Sequence, residues 1–424
     1  MLQPATRTDA PAVRRHACRA LALVLLLLAL AVTLLAGAAM SAAGSGGWQK
    51  QTSGVTAGLL SVTFVDATHG WAVGESGTIL ATTDGGATWG AQTSGSSSYV
   101  KSVAFVDALH GWAVGYHGVV LATADGGAIW NAQTSGVTTY LRAVAFVDAT
   151  HGWAVGQNGV VLATTDGGST WNPQVSGTDA WLNGVAFSDA THGWAVGVDG
   201  TIVATTNGGA TWGVQTSTST AYLNGVAFGD AAHGWAVGWD EIAGGGTVLA
   251  TTNGGVTWTE QHSGSATALL AVACSDASHA WVVGQKGTAI VTKDGGATWR
   301  GQTTGTTGGL YGVAFSGATH GWAVGDSGTI LATTTGGFPL PSIAKLKPTS
   351  AKRGALVTIS GTAFGAKRGA AVVRFGAKKC TKYVSWSDTR VKCRVPSKAK
   401  LGVVKVTVTT TVGKSTSKSF RVKR

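Results

Sequence analysis

No stretch between residues 44 and 338 of this 424-residue chain repeats apolar side chains every 3.6 residues, which argues against helices throughout that span. Arginine is nearly missing from the same span, where only Arg142 and Arg300 occur. Two are too few for a site that clamps a carboxylate through several guanidinium groups. Acid is missing from the other end: Asp388 is the single acidic residue in 339–424. Cysteine is scarce as well, and the four present speak to compartment and little else.

What the chain has is repetition. His-Gly-Trp-Ala-Val-Gly starts at His69, His110, His151, His192, His233 and His320, and a variant, His-Ala-Trp-Val-Val-Gly, starts at His279. Copies lie 41 residues apart, except for a step of 46 from His233 to His279. A second phrase, Thr-x-Asp-Gly-Gly-x-Thr-Trp in its fullest form, trails the copies and ends at Trp89, Trp130, Trp171, Trp212, Trp258 and Trp299. One repeat reads as strands over 141–147, 152–156 and 160–165, with a fourth around Ser169-Thr170-Trp171. These runs are short and rich in Val, Leu, Thr and aromatics, and Gly, Asp and Asn punctuate them. The pattern predicts an all-β protein: a seven-bladed propeller of four-stranded blades. The seventh copy stops at Phe338 without its fourth strand, and Gly46-Gly47-Trp48-Gln49-Lys50-Gln51 matches the missing piece. The N-terminal strand is therefore expected to close the ring over 44–338 and remove its open edges.

Outside the ring, residues 1–43 combine four arginines with an apolar run from Leu21 to Ala36. That layout reads as a signal peptide, with an uncleaved membrane anchor as its rival, since a span needs ~20 residues. Either way the ring is expected outside the cytoplasmic membrane, secreted or at the cell surface. Pro339, Pro341 and Pro348 mark a linker over 339–347, followed by a strand-like basic domain over 348–424. Net charge divides as +3 for 1–43, −11 for 44–338 and +20 for 339–424, which closes on the +12 of the whole chain. Such a tail suits an anionic cell-wall polymer or a membrane surface; the export signal ranks nucleic acid behind them.

The Asp-Gly-Gly-x-Thr-Trp turns resemble Asp-boxes of bacterial neuraminidase-type repeats. Together with the His-Gly-Trp-Ala-Val-Gly strand and the 41-residue period, the array over 46–338 resembles the photosystem II stability and assembly factor propellers. The tail resembles an IPT/TIG domain through Pro341-Ser342-Ile343, Gly354, Val357-Thr358-Ile359-Ser360-Gly361, Phe364-Gly365 and Cys393-Arg394-Val395-Pro396. That resemblance implies an immunoglobulin-like sandwich. In photosynthetic members the propeller is thought to bind a reaction-centre subunit partly through an arginine-rich patch, which this ring lacks.

The repeated Asp84, Asp125, Asp166 and Asp294 exchange with Asn207 and Asn253 at equivalent places, as turn acceptors can and catalytic acids cannot. The seven histidines occupy one place in seven blades, too far apart to share a metal. No metal, no cofactor and no enzyme activity are expected. Partner residues are sought instead where the repeat varies. Eleven residues before each His stand Gly58, Tyr99, Tyr140, Trp181, Tyr222, Ala268 and Gly309. Two places later come Leu60, Lys101, Arg142, Asn183, Asn224, Leu270 and Tyr311. Blade five expands its second turn through Trp239, Asp240 and Glu241. The start of strand one and the turn between strands two and three share a face, so Tyr99, Tyr140, Trp181, Tyr222, Lys101, Arg142, Asn183, Asn224, Trp239, Asp240 and Glu241 are expected to form a ligand site. Packing of the aromatics between blades is the other reading, and the sequence leaves both open. Cys380 and Cys393 are expected to pair after export, whereas Cys274 stands where other blades have Phe. The expectation is an exported, monomeric, non-catalytic scaffold that binds a protein or glycan on one face. An assembly factor for a membrane complex and an extracellular glycan hydrolase are the alternatives.

Overall fold

The computed structural model describes residues 47–424, which form seven four-stranded antiparallel sheets and, separately, a two-sheet sandwich. The signal or anchor expected in 1–43 lies outside the described residues. Blade three typifies the ring: Leu141–Phe146, Gly152–Gly156, Val161–Thr164 and Asn172–Gln174 pair in chain order. The fourth strand begins after Trp171 rather than at Ser169. The blade's Trp is thereby freed from the ladder to pack inward, and Trp171 is buried.

Two aromatic devices join the blades. In six of them the Phe at or next to the end of strand one stacks on the tryptophan that follows His-Gly, or His-Ala in blade six, in the preceding blade, with centroids 3.4–3.7 Å apart. It also meets the blade's own outer tryptophan edge-on at 5.8–5.9 Å. The second device is polar. Trp112 Nε1 donates to Gly167 O at 2.8 Å, and Trp171 Nε1 to Gln133 Oε1 at 3.2 Å, so each indole reaches a neighbouring blade. The glycine of His-Gly is required by close approach. At Gly70, Gly111, Gly152, Gly193, Gly234 and Gly321 an added Cβ would fall 2.2–2.6 Å from the Phe ring across the strand pair.

The ring closes through its N-terminus. Gly47–Gln51 pairs antiparallel with Thr329–Gly337 and supplies the seventh blade's outer strand. Trp48 takes the outer-tryptophan role, edge-on to Phe315 at 5.9 Å and donating to Gln302 Oε1 at 2.8 Å.

In the sandwich, one sheet orders Ser342–Lys347, Leu356–Thr362, Arg390–Arg394 and Tyr383–Trp386. The other orders Ser350–Lys352, Lys418–Lys423, Gly402–Thr409, Val372–Phe375 and Lys378–Lys379. Ser342–Lys347 corrects the expected linker over 339–347: its Ile343 and Leu346 are buried in the sandwich core, so most of that span is a strand. Alternation across Gly402–Thr409 buries Val404, Val406 and Val408 and exposes Val403 and Lys405.

Cys380 and Cys393 are both buried and both free thiols in this structure. They belong to different sheets, since Cys380 N donates to Val373 O while Cys393 lies in Arg390–Arg394. Hydrogen bonding between the two thiols lowers the pKa of Cys380 and raises that of Cys393.

Candidate functional site

The variable residues gather on one face of the ring. Backbone bonds tie the start of each innermost strand to the turn after strand two: Tyr116 N to Tyr99 O, Gln157 N to Tyr140 O and Val198 N to Trp181 O, each at 3.0 Å. Tyr99, Trp181 and Tyr222 are 38, 42 and 39 % exposed there, which excludes burial between blades for these three, and Tyr140 is partly buried. The rings are not independent. Tyr116, in blade two's turn, stacks between Tyr99 at 5.2 Å and Tyr140 at 4.1 Å, and His117 meets Tyr140 edge-on at 5.5 Å. The guanidinium of Arg142 lies 4.9 Å over the Trp181 ring, continuing the arc. Tyr116 and His117 were visible in the sequence only as variable turn residues; no pattern there shows that a ring would bridge two blades.

A backbone irregularity repeated seven times builds the channel behind this arc. In each blade the pairing of strands one and two slips around a single residue, for example between Leu141 and Ala143. Such a bulge re-aims the side chain of the extra residue. The extra residues are Leu60, Lys101, Arg142, Asn183, Asn224, Leu270 and Tyr311, and all seven line one axial cavity of about 180 Å³. The expected polar set of blades two to five therefore lines the channel, and Arg142 reaches from it to the Trp181 ring of the arc. Asn183 and Asn224 are half committed: their Nδ2 groups donate to Leu223 O and Leu269 O of the next blade, each at 2.9 Å. Tyr311 donates to Asp326 Oδ1 at 2.7 Å. Burial and the neighbouring Arg142 push the Lys101 ammonium down to about 8.

Trp239, Asp240 and Glu241 lie on an extended hairpin, Gly234–Asp240 with Gly245–Thr251. Trp239 pairs with Tyr222 in the ladder, which sets the hairpin beside the end of the aromatic arc. Asp240 closes the turn by accepting from Ile242 N and Ala243 N, and it joins Glu260, His262 and Ser263 in lining an open cleft of about 690 Å³.

The opposite face carries the repeated acids and histidines, and their hydrogen bonds are spent locally. Asp84 Oδ1 accepts from Thr88 N and Thr82 Oγ1, and Oδ2 accepts from Thr88 Oγ1. Asn207 reproduces the frame with its amide donating to Thr211 Oγ1. His151 Nδ1 lies 2.9 Å from Asp148, and five other histidines have the same partner at 2.9–3.0 Å. These bonds hold the Asp148 carboxyl well below the usual range, the Thr150 hydroxyl contributing most.

Comparisons with known proteins agree with this architecture. Residues 40–98, 91–171, 172–262 and 263–337 match the family Photosynthesis system II assembly factor YCF48, and 341–422 match the IPT/TIG domain. A solved structure of YCF48 bound to D1 peptide shares 22% identity at a TM-score of 0.58, over 70% of this chain and 100% of that one. YCF48 from Cyanidioschyzon merolae shares 21% identity at 0.57, over 68% and 98%. The WD40 propeller domain of Doa1 shares the fold at 11% identity and 0.55, over 67% and 96%. The comparison with curated proteins gives no match.

Proposed function

This chain belongs to the YCF48 family of photosynthesis system II assembly factors, and from that membership we propose that its ring is a non-catalytic module that captures a protein segment on the face where the innermost strands begin. One observation carries the reading: Tyr99, Tyr116, Tyr140, Arg142 and Trp181 form a continuous, partly exposed arc at the mouth of the axial channel. Rigid aromatic and Arg anchors are the side chains that concentrate binding energy. The solved structure of YCF48 bound to D1 peptide supports a peptide as the kind of partner. Against catalysis stands the local commitment of the repeated carboxylates and histidines to their own turns.

The test is selection of displayed peptides on the immobilised full chain, at salt high enough to quiet the basic tail. Selected peptides should bind Trp181→Ala and Tyr140→Ala at least tenfold more weakly, with unchanged melting temperature. Equal binding by both variants would remove the arc from the site.

The tail gives the scaffold its location in this reading. Twenty-one Lys and Arg against Asp388 make 339–424 an electrostatic anchor for an anionic cell-wall polymer or membrane surface outside the cytoplasmic membrane. Exposed Lys405, Arg421 and Lys423 occupy neighbouring strands of one sheet. Sedimentation of the full chain with phosphatidylglycerol vesicles, but not phosphatidylcholine vesicles, is expected at low salt. Equal sedimentation with both would defeat the anchor.

A further inference from the structure

Lys101 and Arg142 are neighbours in the axial channel, and the channel gives them no counter-charge. No Asp or Glu is among its lining residues. Among the described residues the ion pairs are His–Asp pairs of the opposite face. Of the acids on the near face, Glu75 accepts from Gly58 N at 3.0 Å, Asp326 from Gly309 N at 2.6 Å and Tyr311 at 2.7 Å, and Asp240 from Ile242 N and Ala243 N, while Asp179, Asp199 and Glu241 stand outside the residues that line the channel. Arg142 Nε is buried without a hydrogen-bond partner, and so is Asn183 Oδ1 one blade further on. Desolvated like charges repel, and buried donors without acceptors cost free energy. An anion between the two cations relieves both penalties at once.

We propose that the axial channel is an anion site for a carboxylate group, held between Lys101 Nζ and the guanidinium of Arg142. Planar two-point pairing of a carboxylate suits a guanidinium whose face is already covered by Trp181. The free Asn183 Oδ1 adds an acceptor for an N–H near the carboxylate, as a peptide supplies. At about 180 Å³ the cavity has the room of roughly six waters, enough for one such group and its attached carbons. The carboxylate comes either from a small free acid or from the bound protein segment; the second source rests on the protein-binding reading above.

The experiment reads Lys101 itself, so that the cations of the tail do not contribute. Reductive methylation of the full chain at pH 8 is followed by mass spectrometry of the peptide carrying Lys101, with Lys50 as internal control. Because Lys101 titrates near 8, an anion that raises its pKa by about one unit cuts the reactive neutral fraction from about one half to about one eleventh. Sodium acetate should therefore slow Lys101 labelling severalfold relative to sodium chloride at equal ionic strength, leaving Lys50 unchanged. Arg142→Gln should abolish the protection and Arg142→Lys should retain part of it. A second arm uses N-acetylated hexapeptide mixtures with free or amidated C-termini and no internal acid. Protection by acetate identifies a free acid as sufficient; protection by the free-acid peptides alone identifies the partner's carboxylate. Labelling unaffected by either probe overturns the site. A selected peptide that binds through Trp181 without protecting Lys101 would overturn this proposal and leave the protein-binding reading intact.

Discussion

Replacing Cys274 by Phe tests the packing rule that joins the blades. Six blades pair a Phe with a Gly across strands one and two, whereas blade six pairs Cys274 with Ala280. The two departures compensate: where the ring shrinks to a thiol, the opposing residue gains a methyl. Blade six also shows what the missing ring does. Trp235, the tryptophan that Cys274 faces, has a buried Nε1 with no acceptor, while its six counterparts each donate to a glycine carbonyl at 2.8–3.0 Å. Cys274→Phe alone forces the new ring against the Ala280 methyl, at the 2.2–2.6 Å approach found for a Cβ at the equivalent glycines. Overpacking of this kind costs ~1–3 kcal/mol. Ala280→Gly alone loses a buried methyl and adds backbone freedom, roughly 1–2 kcal/mol together.

The double variant removes the clash and gains two aromatic contacts, with Trp235 and Trp299, worth ~0.5–1.5 kcal/mol each beyond the area buried. It should match or exceed the parent, giving a coupling of at least about 2 kcal/mol against additivity. For a ring of this size that is a separation of several degrees in the melting temperature of the ring transition, at roughly 2–4 °C per kcal/mol. Calorimetry on the parent, both singles and the double decides it. A double variant as unstable as the sum of the singles would refute the pairing rule.

Removing residues 44–54 should lower the ring's melting temperature by at least ~6 °C, since loss of a core aromatic such as Trp48 alone costs ~3–5 kcal/mol; an unchanged transition would contradict closure by this strand. Thr218→Gly should raise it: six loops carry a glycine here at φ +66 to +77°, whereas blade four has Thr218 and leaves Gln215 Oε1 and Trp258 Nε1 buried and unpaired. Restoring that bond is expected to add about 1 kcal/mol, seen in calorimetry, and a lower melting temperature would refute the explanation. Under oxidising conditions Cys380 and Cys393 should become a single disulfide between the two sheets, and peptide mapping that finds both still free would exclude it. Cys274, pushed up to about 12 by burial and by Asp276 and Asp230, should resist alkylation until the ring unfolds.

The ring was legible because its architecture is written in identical residues. Gly70, Trp71 and Phe64 recur because each blade solves the same packing problem, so the period, the seven blades and the closing role of Trp48 can be read from spacing alone. The sandwich was legible as a class but not at its edge: Pro339 and Pro341 look like a linker, yet Ile343 and Leu346 already belong to the core. No local signal distinguishes a strand of six residues from an extended linker when both hold alternating Lys and apolar side chains. The thiols of Cys380 and Cys393 illustrate a different limit, because proximity in space fixes neither the redox state nor the sheets they join.

The candidate site was half legible for a related reason. Variation at Tyr99, Tyr140, Trp181 and Tyr222 marked the face, and variation at Lys101, Arg142, Asn183 and Asn224 marked a second set. Strict alternation along a strand would put residues two apart on the same side, so Lys101 and Tyr99 read as companions on the surface. The bulge breaks that rule: one extra residue between Leu141 and Ala143 turns Arg142 out of the ladder and into the channel. The flanking positions show that this residue obeys a different constraint. Leu59, Val100, Leu141, Leu182, Leu223, Leu269 and Leu310 precede it as fully buried apolar side chains. The residue after them ranges over Leu, Lys, Arg, Asn and Tyr, a range no close-packed apolar position between blades would tolerate. A position so variable beside one so restricted faces open space, and in a closed ring the open space next to the innermost strands is the axis.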